Sequence, residues 1–222
     1  MLPIIIAIAF AGMQPVSTHQ DKAIRVTGKL PAKASCFICL QNGETELEKP
    51  AGAVTYKGKT YYFCNKGEVD AFVKDPETYI PAPLPRPAPA FTLPTTSGGS
   101  LTFDSLKGKV TLVDFWATWC GPCVKAMPGV QKLHDAYAAQ GLAVVGISID
   151  DEGVKKVGPF LAKSKVKYTY PIAIDNADVW KAWGVRSLPT MVLVKDGQIV
   201  KHWSGMVVLK DVERAVREAL MR

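Results

Sequence analysis

Residues 110–123 read VTLVDFWATWCGPC, and the fold turns on how this stretch is read. Val110 to Trp116 is a largely apolar run interrupted by one acid, Asp114, the pattern of a strand buried on both faces. From Pro122 to Gln140, Val124, Met127, Val130, Leu133, His134 and Tyr137 recur near helical spacing, and Gly141 stops the run. Cys120 and Cys123 therefore stand at the corner where a strand turns into a helix. Unpaired backbone N–H groups and the helix dipole favour a thiolate at that corner, so Cys120 should ionise more readily than a free cysteine. Cys123 lies one turn on, where it can close a short disulfide with Cys120. In such a pair the first thiolate attacks a disulfide and the second resolves the mixed disulfide. Pro122 costs little in the first helical turn, where its missing N–H would have no partner.

The pattern continues on both sides. Phe91–Leu93 and Leu101–Phe103 flank Ser97-Gly98-Gly99-Ser100, a hairpin pattern. Leu142–Ile149 (LAVVGISI) is a second buried strand, and a helix is expected over Glu152–Ser164. Thr190–Lys195 and Gln198–Trp203 pair across Asp196-Gly197, a tight-turn signature, and Asp211–Met221 closes as an amphipathic helix. Strands alternating with helices imply an α/β layered sheet. Two other uses of Cys120 and Cys123 are disfavoured. Half a zinc site would need two more ligands, and residues 90–222 hold no other cysteine and only His134 and His202. A purely structural disulfide rarely sits at a helix start.

The run Val113–Cys123 closely resembles the active-site strand and loop of the thioredoxin superfamily. The resemblance implies a thioredoxin fold, with Asp114 as a buried acid relaying a proton to or from Cys123. It also makes Pro128 the helix-kinking proline and Leu188-Pro189 the cis-proline loop that receives substrate backbone, with Trp119, Gly121 and Pro122 beside the substrate. The stretch from Cys120 to Pro189 is longer than in plain thioredoxin. The extra segment, roughly Ile149–Ala173, resembles the added strand–helix unit of the TlpA/ResA-like extracytoplasmic reductases, as do the preceding hairpin and Leu106–Lys109. Several such reductases carry a glutamate in the active-site helix where this chain has Ala126, which leaves proton handling to Asp114. Ala117 and Val113 occupy positions where peroxiredoxins need a threonine or serine and a proline. Copper-assembly relatives use a Cys-x-x-x-Cys spacing that is absent here. The resemblance implies that no cofactor is required for the redox chemistry. The Gly-Pro pair between the cysteines resembles the reducing members of the fold.

Upstream, Lys57–Cys64 (KGKTYYFC), Phe72 and Asp75–Tyr79 (DPETY) resemble the YHS/TRASH family of small metal-associated domains over about residues 34–80. Glu68 stands where that family has a second cysteine. A small β-rich unit over 24–80 with one short helix is expected, with Tyr61, Tyr62 and Phe63 in its core. A unit this small has a thin core and gains from a staple. Three readings of its cysteines stay open. Cys36, Cys39, Cys64 and Glu68 hold a soft ion such as copper or zinc. Alternatively Cys36–Cys39 or Cys39–Cys64 is a disulfide staple. The third reading is a thiol relay to Cys120.

Residues 81–89 alternate proline with other residues and read as a semi-rigid polyproline linker between the two units, the second spanning 90–222. Leu2–Ala11 is apolar, too short to span a bilayer, and ends in Ala9-Phe10-Ala11, so residues 1–20 read as a signal peptide or N-terminal anchor. The net charge of +7 is spread, and the Lys155–Lys167 run lacks interleaved aromatics, so nucleic acid is not an expected partner. The expected protein is an extracytoplasmic, periplasmic thiol–disulfide oxidoreductase. Its partners are cysteine-containing exported proteins, such as apocytochromes or copper-site proteins, and a membrane electron donor. The alternative is a copper or zinc chaperone or sensor with the second unit in support.

Overall fold

The computed structural model describes residues 22–41, 45–80, 83–106, 109–205 and 207–221. The expected signal segment over 1–20 lies outside them. The N-terminal unit comprises β1 (Ile24–Arg25), β2 (Ala34–Ser35), α1 (Phe37–Gln41), β3 (Leu47–Glu48), β4 (Gly52–Tyr56), β5 (Lys59–Phe63), α2 (Lys66–Lys74) and α3 (Pro76–Tyr79). Strands β1, β4 and β5 form an antiparallel sheet, and β2 pairs with β3. The unit holds three helical segments where one was expected. Both α1 and α3 are single turns, too short for a periodic pattern to reveal them. Phe72 of α2 is wholly buried, and its ring lies 5.1–6.3 Å from those of Phe37, Tyr56, Tyr61, Phe63 and Tyr79. Tyr61 and Phe63 are core residues as expected. Tyr62 is only half-buried and is bridged through its backbone to Cys36.

The C-terminal unit begins with β6 (Arg86–Pro87) and continues through a small hairpin of β7 (Thr92–Pro94) and β8 (Ser100–Thr102). Then follow β9 (Val110–Trp116), α4 (Gly121–Tyr137), β10 (Leu142–Ser148), α5 (Val154–Lys163), β11 (Ile172–Ile174), α6 (Val179–Ala182), β12 (Thr190–Lys195), β13 (Gln198–Ser204) and α7 (Leu209–Leu220). The main sheet runs β11-β10-β9-β12-β13-β6. β9, β10 and β11 are parallel, and β12, β13 and β6 join antiparallel. This is a thioredoxin fold, with a central mixed sheet flanked by helices.

The supposed linker needs correction. Arg86 and Pro87 are an edge strand of the main sheet, opposite Ile199 and Gln198, and the Ala88 N–H donates to the Gly197 carbonyl at 2.9 Å. An outer edge tolerates a proline because its missing N–H would face away from the ladder. The Asp196-Gly197 turn has φ of 50° and 74°, as the expected hairpin requires.

Alternation along the strands builds two cores. Leu112 and Trp116 of β9, Val144 of β10, and Met191 and Leu193 of β12 point to the face covered by α4 and α7. Val113, Phe115, Val145, Ile147, Val192 and Val194 point to the other, where Trp183 packs against Phe91, Phe103 and Phe115. Helices α4 and α7 approach so closely at Gly129 that a Cβ there would clash with Leu209 Cδ1. Arg186 joins the two units, its Nη2 donating to the carbonyls of Glu77 at 2.6 Å and Ile80 at 3.1 Å.

Because Phe72 packs on the rings of Phe37, Tyr56, Tyr61, Phe63 and Tyr79, Phe72→Ala should destabilise the N-terminal unit by about 3–5 kcal/mol. Urea unfolding followed by tyrosine and tryptophan fluorescence should then resolve a separate early transition. The transition of the C-terminal unit should keep its midpoint.

Candidate active site

Strand β9 delivers the chain to a corner at Ala117–Cys120, and α4 starts at Gly121. Asp150, just past β10, pins that corner. Its carboxylate accepts from the Thr118 N–H at 2.9 Å, the Thr118 hydroxyl at 2.6 Å and the Ser148 hydroxyl at 2.8 Å. Cys120 caps α4, its Sγ accepting from the Cys123 N–H at 3.2 Å, and a disulfide joins Cys120 to Cys123. That N–H is one of the orphan donors of the helix start, and it would face a thiolate once the pair is reduced.

The Leu188–Pro189 peptide is cis, as the thioredoxin resemblance implied. Leu188 lines a groove of about 510 Å³ together with Trp119, Cys120, Gly121 and Pro122. Cys120 thus opens on the groove while Cys123 is buried beneath it in the core. Trp119 is 67% exposed at the rim. Five further lining residues escaped the sequence reading: Ile149, Trp180, Val185, Arg186 and Ser187. Trp180 is held by Asp175, whose carboxylate accepts from the N–H groups of Ala177, Val179 and Trp180 at 2.8–3.1 Å. The turn-forming run Asp175-Asn176-Ala177-Asp178 was the available signal.

Asp114 lies mid-strand in β9, on the face that also carries Leu112, Trp116 and, from α4, Cys123. It is 1% exposed, and its Oδ1 has no protein partner. Burial pushes its carboxyl up to about 7. A carboxyl that exchanges its proton near neutrality suits general acid–base work.

A second cluster lies in the N-terminal unit. Cys36, Cys39 and Cys64 are free thiols whose sulfurs lie within 4.8 Å of one another. Cys39 Sγ is 3.7 Å from Cys64 Sγ, and a Glu68 carboxylate oxygen lies 3.8 Å from Cys36 Sγ and 3.7 Å from Cys64 Sγ. All four residues read from the sequence as ligands therefore converge. Glu68 is brought there by α2, whose cap Asn65 accepts from the Glu68 N–H at 2.9 Å. Hydrogen bonding to the Cys36 sulfur, then burial, hold the thiols of Cys39 and Cys64 protonated above their ordinary range.

Residues 85–216 match the family model described as Redoxin, and the chain belongs to that family. Among curated relatives, the thiol-disulfide oxidoreductase ResA of Bacillus thuringiensis subsp. konkukian is 30% identical over 133 residues, which span 59% of this chain and 75% of ResA. The thioredoxin-like protein YneN of Bacillus subtilis is 36% identical over 130 residues, 57% of this chain and 75% of YneN. A solved thiol:disulfide interchange protein of the thioredoxin family from Chlorobium tepidum TLS superposes with a TM-score of 0.55 at 28% identity. That match covers 63% of this chain and 99% of the other. Together with the site, these relatives make the chain a thiol–disulfide oxidoreductase of the TlpA/ResA-like group, acting on cysteine-containing proteins.

The Asp114 shift fixes a pH dependence. The folded chain keeps this proton up to about pH 7, whereas the unfolded chain releases it near 3.8. The folded state therefore binds more protons between those values, and its stability falls as pH rises through that window, by up to about 4 kcal/mol. Urea unfolding of the oxidised protein from pH 4 to pH 8 should show this decline. Asp114→Asn should flatten it.

Proposed function

We propose that the chain is an extracytoplasmic reductase of protein disulfides working through Cys120 and Cys123. The observation that carries this reading is the Cys120–Cys123 disulfide at the start of α4, opening on a groove beside cis-Pro189. In the reduced form the Cys120 thiolate attacks one sulfur of a substrate disulfide, and the other substrate sulfur leaves as a thiolate. Cys123 then gives its proton to the Asp114 carboxylate, and its thiolate attacks Cys120 Sγ. The second substrate sulfur is released, and the disulfide seen here remains. Leu188 and Pro189 receive substrate backbone, while Trp119, Gly121 and Pro122 form the facing wall. No cofactor enters these steps. Two electrons from a membrane donor restore the dithiol. Exported proteins with cysteine pairs, apocytochromes or copper-site proteins among them, are the substrates. The apolar Leu2–Ala11 segment supports export.

Insulin reduction by the purified chain tests this. Wild-type protein should precipitate the insulin B chain catalytically, and Cys120→Ser should fall to background. Cys123→Ser should accumulate a mixed disulfide through Cys120, visible by mass spectrometry. Asp114→Asn should slow turnover by about 10²-fold or more near pH 7. Turnover that survives Cys120→Ser would remove the reading.

A second reading concerns the N-terminal unit, which we infer to be a YHS/TRASH-like domain holding zinc or copper(I). Its support is the donor set. A tetrahedral zinc with thiolate bonds near 2.3 Å places neighbouring ligand atoms about 3.5–3.8 Å apart, and three of the separations here are 3.7–3.8 Å. Three thiolates would equally suit copper(I). Protein isolated under reducing conditions should carry about one equivalent of either ion by plasma mass spectrometry. Cys64→Ser should lose it, and chelation should remove it without abolishing insulin reduction. Metal-free protein that takes up neither ion would sink this reading.

A further inference from the structure

Around Asp114 the core holds polar groups that the reading above leaves idle. Asp114 Oδ1, Trp116 Nε1 and the Tyr170 hydroxyl are all buried and lack a protein partner. Trp116 Nε1 and the Tyr170 ring meet beside the residue that pairs with Asp114. Gly146 of β10 stands opposite Asp114 of β9, and a Cβ on Gly146 would lie 3.2 Å from both Trp116 Nε1 and Tyr170 Cε2. Tyr170, in the segment before β11, is 3% exposed and feels the Asp114 charge directly. Its ring is wedged between those of His134 on α4 and Tyr168, with centroids 6.0 and 5.9 Å away. Three orphaned polar atoms in a well-packed core call for an explanation, and an internal water with two to four polar partners is the ordinary one.

We propose that Tyr170 is a positioning residue for Asp114: its hydroxyl and Trp116 Nε1–H hold an internal water against the Asp114 carboxylate. The donors stabilise the carboxylate and so set the pH at which Asp114 takes the proton of Cys123. The inference rests on reading Asp114 as the proton relay. The other titratable groups on this face are few. Tyr168 lies beside Tyr170, His134 is on α4, and Cys123 is held in the disulfide. Asp150, the other buried carboxylate, is taken up by Thr118 and Ser148. Strand β12 places Met191 opposite Asp114. Among the described residues no lysine or arginine is buried on this face; besides the hydroxyl and indole donors, His134 Nδ1, on the ring packed against Tyr170, is buried without a partner.

The test follows the Asp114 carboxyl by infrared spectroscopy or carbon NMR in the oxidised full chain, where neither Cys120 nor Cys123 titrates. Asp114→Asn identifies the signal. Tyr170→Phe removes one oxygen and leaves the ring packing in place. It should raise the Asp114 midpoint by at least half a pH unit, about threefold in proton affinity. Gly146→Ala, whose methyl would press on Trp116 Nε1 and the Tyr170 ring and so displace both donors, should move the midpoint the same way. The pH profile of insulin reduction should shift upward in parallel in Tyr170→Phe. An Asp114 midpoint unchanged in both variants overturns the proposal and leaves Tyr170 an ordinary core residue, with the relay role of Asp114 intact. A pH profile unchanged by Asp114→Asn overturns the relay itself, and with it any catalytic part for Tyr170.

Discussion

Strand β9 is buried along its whole length, and one of its residues is an aspartate. Everything else in the C-terminal unit is arranged around that constraint. A carboxylate in an apolar core is costly, and the group answers by keeping its proton to near neutrality. It cannot escape by sliding. β10 and β12 pair with β9 on both sides, and a one-residue slip would turn Leu112 and Trp116 to the wrong face and bring Val113 and Phe115 with them. The strand thus fixes a titrating group beneath a helix whose second cysteine needs a base. Stability and the proposed chemistry pull the same residue in opposite directions: the fold favours the protonated carboxyl, whereas the relay proposed above needs the carboxylate to take the proton of Cys123.

The same strand sets the mouth of the site. Its C-terminal end runs into the Ala117–Cys120 corner, and the parallel neighbour β10 ends beside it with Ile149 and Asp150. Loops at the carboxyl ends of parallel strands are where open α/β sheets place ligands. Asp150 holds the corner through three hydrogen bonds, so Cys120 meets the groove from a rigid base. The opposite wall comes from a distant part of the chain, Trp180 through Leu188, placed by the Asp175 cap and by the pairing of β12 with β9. The groove is largely apolar, apart from Arg186, which also reaches the carbonyls of the N-terminal unit. A substrate strand laid beside Pro189 would therefore lie close to both units.

Much of this was legible in the sequence, and the reason is periodicity. Apolar runs as in β9 and β10, the Asp196-Gly197 hairpin and the helical spacing in α4 each carry a local signal that survives without tertiary context. The cysteine pair and Leu188-Pro189 were legible through resemblance. What escaped depended on non-local partners. β6 is a two-residue strand with a proline, recognisable only once β13 lies beside it. α6 is a single turn whose first N–H groups are taken by Asp175, four residues upstream of the helix start. Asp150 reads in sequence as one of three successive acids in a loop, and only the fold turns it toward Thr118. Ile149 and Trp180 became groove walls in the same way. Glu68 is the reverse case: it occupies the place of an expected cysteine, yet the fold brings its carboxylate to the three thiols.

Those thiols frame a last argument. In an oxidising compartment, sulfurs as close as those of Cys39 and Cys64 have two ordinary fates, a disulfide or a shared metal ion. A disulfide would use two of the three sulfurs and leave the third beside a carboxylate with nothing to neutralise. A divalent ion or copper(I) uses all three and Glu68 as well. Without a cation, hydrogen bonding to the Cys36 sulfur and then burial keep the thiols of Cys39 and Cys64 protonated; a bound ion would invert that preference and deprotonate its ligands outright. The thin aromatic core around Phe72 would gain from the same cross-link. On the two readings proposed above, joining such a unit to a dithiol reductase is chemically coherent, since a thiolate site can be loaded only while its cysteines are reduced, and a neighbouring reductase would keep cysteines in that state.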